Sequence, residues 1–213
     1  MTRCAKSSSA SSRSSRRAAW SMVCSLHSSV MRQSVARGAL MEKSPIRHFQ
    51  CHNGQMKNIV ILALDGMMDS GIAIALDTLR TAQALQQKGG RGRLRVLVAG
   101  HGKSVTAGSG MRVACDLGLR DAAHWPLRPD WIIVPGLGMT SEAAASQRLQ
   151  ERDARAAMAA LRSLPEATQV GVACSSVFLL AEAGLLAGRR ATTTWWLAPV
   201  FRRRYPDVQL DET

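Results

Sequence analysis

One cysteine, Cys174, stands where a strand-like pattern changes into a helix-like pattern. Residues 168–173 form a short β-branched and apolar run that predicts a buried strand, and Cys174-Ser175-Ser176 opens an apolar segment that reaches Leu186. A sulfur at the start of a helix lies near the positive end of the helix dipole, which favours thiolate over thiol. The pattern predicts a functional site. A cysteine that only packs in the core is the alternative.

A nucleophilic cysteine needs a base within hydrogen-bond reach, and histidine is the usual base. All five histidines precede Cys174 in the chain: His27, His48, His52, His101 and His124. His101 follows a predicted strand, and His124 lies in a predicted loop. Nothing in the sequence brings either of them to Cys174, so the ordinary interpretation of both is a loop or surface histidine.

Two other predicted strands end in residues that could join the same site. The apolar run 58–64 leads into Asp65-Gly66, and the run 130–134 leads into Pro135-Gly136-Leu137-Gly138. Binding sites of parallel sheets lie at the carboxyl ends of the strands. The glycines could leave backbone N–H groups free for an anion or oxyanion, although a plain tight turn is the commoner role of such a loop.

Two carboxylates fall near the first predicted helix, residues 70–87. Asp69 stands just before this helix, where aspartate commonly caps the first turn. Asp77 lies inside it, and a partly buried carboxylate beside a thiol would change the pKa of that thiol. A solvated helix face is the commoner location for a single aspartate.

The elements that must position these groups alternate between strand and helix. Further strands are predicted at 93–99 and near 208–210, a hairpin at 105–115, and helices at 141–164 and 195–204. In the helix 141–164 we expect Leu149, Ala156, Ala160 and Leu161 to face inward and Glu151, Arg152, Asp153 and Arg155 to face outward. The order predicts an α/β domain with a mostly parallel sheet.

Composition excludes several classes of protein. The 213 residues are 46% hydrophobic, enough for one core, but no run of 18 apolar residues suggests a membrane helix. The five cysteines form no C-x-x-C pair and show no metal-ligand spacing. We therefore expect free thiols, no metal, no cofactor and a reducing, cytoplasmic location.

The positive charge is concentrated in residues 1–55. This segment holds nine of the 28 Lys and Arg residues and one of the 15 acidic residues, a net +8 of the +13 for the chain. Its Ser- and Arg-rich composition predicts a disordered tail. It could be a targeting peptide, but an upstream start codon is the favoured explanation because Met56 directly precedes the first strand. The charge is thus weak evidence that residues 56–213 bind nucleic acid.

The segment from Val172 to Thr193, together with Trp195 and residues 201–206, resembles the ThiJ/PfpI-like domain of GlxA-type AraC-family transcriptional regulators. The resemblance covers residues 56–213, and residues 1–55 match nothing in it. It implies a class I glutamine amidotransferase-like, flavodoxin-like three-layer α/β sandwich, usually dimeric. Similar domains continue beyond the position of Thr213, so the resemblance implies a fold that is cut short at its C-terminus.

The resemblance also implies a small pocket formed by Cys174, Ser175, Gly136, Asp65, Asp77 and Thr194. Asp77 stands where such proteins often carry a glutamate. Thr194 stands where hydrolytic or redox relatives carry a histidine, and Ser176 replaces a frequent glycine. A threonine hydroxyl cannot act as a base near neutral pH. These differences argue against amidase, protease or glyoxalase chemistry, with Cys174 as a vestigial nucleophile.

The sequence therefore predicts a non-enzymatic domain that binds a small-molecule effector and forms a homodimer. It would belong to an AraC-type regulator and reach DNA only through a helix-turn-helix domain that follows this region in the regulators and is missing here. Two alternatives stay open. One is a stand-alone cysteine-dependent hydrolase or glyoxalase-like protein with an unrecognised base. The other is a redox-stress protein in which Cys174 is oxidised.

Overall fold

The computed structural model describes residues 56–89 and 93–211, and the expectations for residues 1–55 lie outside this range. In chain order the elements are β1 (Met56–Leu62), α1 (Asp69–Gly89), β2 (Arg93–Gly100), β3 (Ser104–Thr106), β4 (Arg112–Ala114), β5 (Leu117–Gly118), β6 (Trp131–Val134), α2 (Glu142–Leu149), α3 (Arg152–Ser163), β7 (Gln169–Val172), α4 (Val177–Glu182), β8 (Arg190–Ala191), α5 (Ala198–Arg204) and β9 (Gln209–Leu210). Short 3-10 turns cover Leu119–His124, Cys174–Ser176 and Trp195–Leu197.

Five strands form the central sheet in the order β5-β2-β1-β6-β7, and every pairing in it is parallel. β1 is the middle strand, and its residues from Ile59 onward are buried on both faces of the sheet. A parallel strand becomes apolar throughout when helices cover both faces. The prediction of a flavodoxin-like α/β fold is confirmed, and the sheet order makes β1, β6 and β7 neighbours.

The smaller strands lie outside the central sheet. β3 and β4 form the antiparallel hairpin that the glycine-broken stretch 105–115 predicts. β8 and β9 pair in parallel as a separate two-stranded sheet. The strand expected near residues 208–210 is therefore present as β9.

The predicted helix 141–164 is wrong as a single helix, because the structure divides it into α2 and α3. Gln150 ends α2, and Glu151 has an extended backbone with ψ of 154°. Asp153, expected on the outer side, is only 5% exposed. The reason for both differences is Arg148, which forms ion pairs with Glu151 and Asp153 across the break.

The first helix, α1, begins and ends close to the predicted bounds. The carboxylate of Asp69, expected to cap this helix, instead accepts hydrogen bonds from the N–H and the hydroxyl of Ser109 at 3.0 and 2.5 Å. Ile72 near its start is buried, and Leu85 near its end is 64% exposed. Among the described residues, no helix combines the length and the apolar character needed to cross a membrane.

Candidate functional site at Cys174

Cys174 occupies a strained backbone conformation directly after β7. Its φ is +57°, and no other residue besides glycine in the described part of the chain has a positive φ. The left-handed region costs an L-residue other than glycine roughly 1–2 kcal/mol. Strain of this kind persists only where the surroundings enforce it, and it is concentrated at functional sites. The strand, the sharp turn and the helix α4 that follows form an elbow with a half-buried thiol at its tip.

Two serine side chains hydrogen-bond this elbow to the loop after β6. The Ser175 hydroxyl donates to the carbonyl of Leu137, and the Ser176 hydroxyl donates to the carbonyl of Pro135. Both serines are fully buried. Ser175, predicted as a pocket residue, thus uses its side chain to hold the loop. The glycine frequent at position 176 in relatives would lack this second bond.

The loop 135–138 lies directly against Cys174, and Gly136 makes the closest approach. A Cβ added at Gly136 would lie 3.1 Å from the Cys174 Cβ and 3.4 Å from the Met68 Sδ. The loop after β1 is bonded to the same segment, because the Met68 N–H donates to the Gly136 carbonyl at 2.8 Å and the Gly138 N–H donates to the Gly66 carbonyl at 3.4 Å. The structure therefore brings together the ends of β1, β6 and β7.

Gly136, which packs against Cys174, and Ser175, which follows it in the chain, carry backbone N–H groups that could act as donors. In the described part of the chain, no turn or loop hydrogen bond uses the N–H of Gly136 or the N–H of Ser175. Backbone N–H groups presented in this way bind carbonyl or anionic oxygens. This arrangement could stabilise a bound carboxylate or carbonyl without any change at the sulfur.

Thr194 begins a segment that is tied to the same loop. The indole Nε1 of Trp196 donates to the Met139 carbonyl at 3.4 Å, two residues beyond Leu137. The side-chain oxygens of Thr193 and Thr194 are buried and have no hydrogen-bond partner among the described residues. An unsatisfied buried hydroxyl costs about 1–3 kcal/mol, so these groups favour a water molecule or a polar ligand as partner.

The two carboxylates predicted for the pocket lie after β1 and on α1. The turn of α1 that meets the loop carries Gly71, where an added Cβ would lie 3.5 Å from the Gly136 nitrogen. Asp77 follows six residues later, which places it about 9 Å along the helix and about 240° around it. Its side chain is exposed and has no hydrogen bond or ion pair to Cys174. The assignment of Asp77 to the pocket stays a prediction.

Asp65 helps to fix the loop after β1 through three hydrogen bonds. Its carboxylate accepts the Thr106 N–H at 2.8 Å, its own N–H donates to Asp153 Oδ2 at 2.9 Å, and its carbonyl accepts from Arg148 Nη2 at 2.7 Å. Arg148 and Asp153 were missed at the sequence level. An arginine and an aspartate five residues apart, on either side of a helix break, were the only available signal.

No histidine of the described chain lies beside the thiol. His101 directly follows β2, and two strands, β1 and β6, separate β2 from β7. At a strand spacing of about 4.8 Å, this is roughly 14 Å across the sheet. His124 is exposed in the turn before Trp125.

The second free thiol of the described chain, Cys115, is a packing residue. An added Cβ at Gly100 would lie only 2.4 Å from the Cys115 Sγ, so the sulfur fills the space that this glycine leaves. Burial, with the nearby carboxylates of Asp116 and Asp65, raises the pKa of the Cys115 thiol. Among the described residues no cluster of three or more His, Cys, Asp or Glu side chains could hold a metal ion.

A shallow cavity of about 280 Å³ lies away from Cys174, and its lining comes from the end of α2, from α3 and from the end of α4. Its residues are Leu149, Gln150, Arg155, Met158, Arg162 and Glu182. The strained thiol lies where the loops after β1, β6 and β7 meet, and this marks the Cys174 region as the better candidate site.

Comparisons with known proteins agree with this fold. A protein of Streptomyces lividans, the uncharacterised protein in the cpoL 5' region, is 32% identical over 159 residues, which are 70% of this chain and 94% of that protein. Drosophila melanogaster DJ-1beta is similar in structure, with a TM-score of 0.54, 18% identity and coverage of 74% of this chain and 75% of that chain. An AraC family transcriptional regulator from Pseudomonas putida has a TM-score of 0.50, 14% identity and coverage of 74% and 77%.

The two structural neighbours carry different functions in their names, so they show the fold and leave the activity open. A sequence model of the DJ-1/PfpI family matches residues 57–203, which include the elbow, the loop 135–138 and the segment after β8. This match covers more than half of the chain. The protein therefore belongs to the DJ-1/PfpI family.

Proposed function

We propose that residues 56–213 form the effector-binding domain of an AraC-type transcriptional regulator and that this domain is not an enzyme. The observation that carries the proposal is the elbow thiol of Cys174 with Thr194, rather than a histidine, in the segment tied to its loop. Thiol catalysis of acyl transfer needs a base that takes the proton of the thiol or activates water. His101 is roughly 14 Å away across the sheet, so it cannot act as that base.

The available polar groups define the effector that the pocket would bind. The N–H groups of Gly136 and Ser175 are donors to an oxygen with negative or partial negative charge. The hydroxyls of Thr193 and Thr194 can donate and accept. The exposed side chain of Met68, whose sulfur lies near Gly136, supplies an apolar edge. The effector in this proposal is a small carboxylate or carbonyl compound with a second polar group.

The proposed regulator works as a homodimer in the cytoplasm and contacts DNA through a helix-turn-helix domain outside residues 56–213. Its similarity to the Pseudomonas putida regulator supports this assignment at the level of the fold. Dimerisation would set the spacing of two DNA-binding domains on adjacent half-sites. Residues 1–55 have no role in this proposal, and residues 56–213 are treated as one domain.

Thermal-shift screening with small carboxylates, amides and 2-oxo acids tests the proposal. A compound that binds the folded state raises the melting temperature, and above Kd the increase grows with the logarithm of its concentration. We expect the shift to survive in Cys174→Ser and to fall several-fold in Thr194→Val, which has a similar volume but lacks the hydroxyl. A shift that needs the sulfur and ignores position 194 would contradict the proposed pocket.

The second candidate is a cysteine-dependent hydrolase, a glyoxalase-like protein or a redox-stress protein. The positive φ of Cys174 favours it, because a strained elbow exposes a nucleophile. Steady thiol-dependent turnover of an amide or a 2-oxoaldehyde would support the enzyme. Selective conversion of Cys174 to a sulfenic or sulfinic acid by low peroxide, with Cys115 unchanged, would support the redox protein.

A further inference from the structure

We propose that the ion pair between Arg148 and Asp153 positions the loops that surround Cys174. The inference deepens the proposed function, since it concerns the frame of the same pocket. Asp153 is 6% exposed and Arg148 is 12% exposed in their side chains. They lie at opposite sides of the break between α2 and α3, and neither contacts the thiol.

The pair has a fixed geometry. Arg148 Nη1 donates to Asp153 Oδ1 at 2.7 Å, and Arg148 Nη2 donates to Asp153 Oδ2 at 2.6 Å. A bidentate guanidinium–carboxylate pair fixes both orientation and distance, which a single hydrogen bond does not. Arg148 Nη1 also lies 2.9 Å from Glu151 Oε2, and the Ala154 N–H donates to Asp153 Oδ1 at 2.8 Å. Both side chains are therefore held firmly on the helices that carry them.

This pair forms hydrogen bonds with both the backbone N–H and the backbone carbonyl of Asp65, which is more than 80 positions away in sequence. The Asp65 N–H donates to Asp153 Oδ2 at 2.9 Å, and Arg148 Nη2 donates to the Asp65 carbonyl at 2.7 Å. On the other side, the Asp65 carboxylate accepts the Thr106 N–H and the Gly66 N–H donates to the Thr106 carbonyl, each at 2.8 Å. Asp65, shortly after β1, is thus bonded to the ion pair on one side and to the strand β3 on the other.

Two further sets of contacts connect Asp65 to Cys174: the first joins the loop after β1 to the loop 135–138, and the second joins the loop 135–138 to Cys174. Gly66 and Met68 bond the loop 135–138 through the Gly138 N–H and the Gly136 carbonyl. Gly136 then lies against the Cys174 Cβ, and the loop carbonyls of Pro135 and Leu137 receive the hydroxyls of Ser176 and Ser175. Every link in this path is a hydrogen bond or a direct contact.

A buried ion pair contributes little net stability compared with apolar residues of the same volume, because both charges lose their hydration. Its distinctive contribution is geometry. Here that geometry sets the position of a loop in which Gly136 packs against Cys174. A positioning role explains why a charged pair occupies this buried place.

Peptide-level hydrogen exchange and alkylation by iodoacetamide on the full chain test this inference. In Arg148→Met we expect exchange to rise at least five-fold in residues 64–68 and 136–139 and alkylation of Cys174 to rise at least three-fold. Exchange in α5 should stay within two-fold of the parent protein. Arg148→Lys keeps the charge but cannot form the bidentate pair and bind the Asp65 carbonyl together, so it should rescue less than half of the effect.

Arg203→Met is the matched control, because it removes an arginine from an exposed ion pair with Glu142 that has no link to Asp65. Its exchange and alkylation should equal those of the parent protein. Should Arg148→Met fail to fold, Arg148→Lys carries the same test. Unchanged exchange in residues 136–139, or an equal rise in all elements, would overturn the inference. Neither readout uses a ligand or turnover, so a failure here is distinct from a failure of the effector proposal.

Discussion

At the scale of single residues, the proposed pocket depends on Gly136, which has no side chain, and on Thr194, which we propose to occupy the position of a catalytic base. Gly136 leaves room for the Cys174 side chain, and Thr194 presents an oxygen without a partner. The chemistry of these two positions separates a binding pocket from a catalytic centre. Each of them can be changed by one substitution with a matched control.

Gly136→Ala should destabilise the protein by about 1–2 kcal/mol, because the added methyl group overpacks a tight contact. The new Cβ would lie 3.1 Å from the Cys174 Cβ, and the elbow there is held by two serine hydrogen bonds and cannot yield easily. Urea unfolding followed by circular dichroism measures the change. Gly102→Ala is the control, since its nearest neighbour would be the Ser104 carbonyl oxygen at 3.7 Å. Equal effects at both positions would contradict the packing argument.

Thr194→His should raise the rate of Cys174 alkylation at pH 7 by about ten-fold. An imidazole with a pKa of about 6.5 can accept the thiol proton and stabilise the thiolate, which a threonine cannot do. The rate should follow the titration of the imidazole between pH 5.5 and 7.5. Thr194→Gln, of similar size but without a basic group, should react like the parent protein. If the His and Gln variants react at the same rate, Thr194 does not stand at the position of a base.

At the scale of elements, the strand ends were predictable and the helix details were not. The buried runs 58–64, 93–99 and 130–134 all became strands of the central sheet, because an apolar run bounded by glycine or proline has few other solutions. This placed Gly136 and Cys174 at one sheet edge. The positive φ of Cys174 leaves no trace in composition or periodicity, so the strain could not be predicted.

The errors on helices have one physical cause, which is that tertiary contacts override local periodicity. Residues 141–164 have an acceptable helical pattern throughout, yet the ion pairs of Arg148 stabilise a break at Gln150 and Glu151 and bury Asp153. The assignment of Asp77 to the pocket stays a prediction, because its position around α1 depends on which turn of that helix meets the loop. The structure assigns that contact to Gly71.

The junction of α2 and α3 also predicts a pH dependence of stability. Burial alone would raise the pKa of Asp153, but the hydrogen bonds and charge of Arg148 outweigh burial and hold this pKa below its ordinary value. A lowered pKa in the folded state contributes stability above the unfolded pKa of about 3.9, and that contribution is lost as the pH falls through the folded value. Asp153→Asn should therefore cost about 3 kcal/mol near neutral pH.

Urea unfolding at several pH values between 6 and 3 measures this dependence. The free energy of unfolding of the parent protein should fall towards pH 3, and the Asp153→Asn variant should lose part of that slope. Glu142→Gln removes a carboxylate from an exposed ion pair and should change stability by less than about 1 kcal/mol. Parallel slopes in the parent protein and the Asp153→Asn variant would show that Asp153 is not the titrating group.

At the scale of the whole molecule, the charge is divided unevenly along the chain. Residues 1–55 carry a net +8 of the +13, so the proposed effector domain has only modest positive charge. A basic segment binds phosphate backbones without reading sequence, and such binding weakens steeply with salt. Affinity for DNA in this chain therefore says little about the pocket at Cys174.

Any DNA binding by the full chain should be weak, independent of DNA sequence and lost on deleting residues 1–55. Raising the salt concentration from 50 to 200 mM should reduce the affinity of the full chain by about ten-fold or more. Fluorescence anisotropy with two unrelated duplexes of equal length measures both effects. Binding that distinguishes the duplexes and survives the deletion would assign DNA recognition to residues 56–213.

The central claim is that Cys174 shapes a pocket and does not perform chemistry, and turnover with and without the sulfur tests it most directly. Purified parent protein and Cys174→Ala are compared at matched concentration on a set of amides, peptides and 2-oxoaldehydes, with product followed by mass spectrometry over many enzyme equivalents. The account predicts the same background rate for both proteins on every substrate. Multiple turnovers by the parent protein that disappear in Cys174→Ala would contradict it.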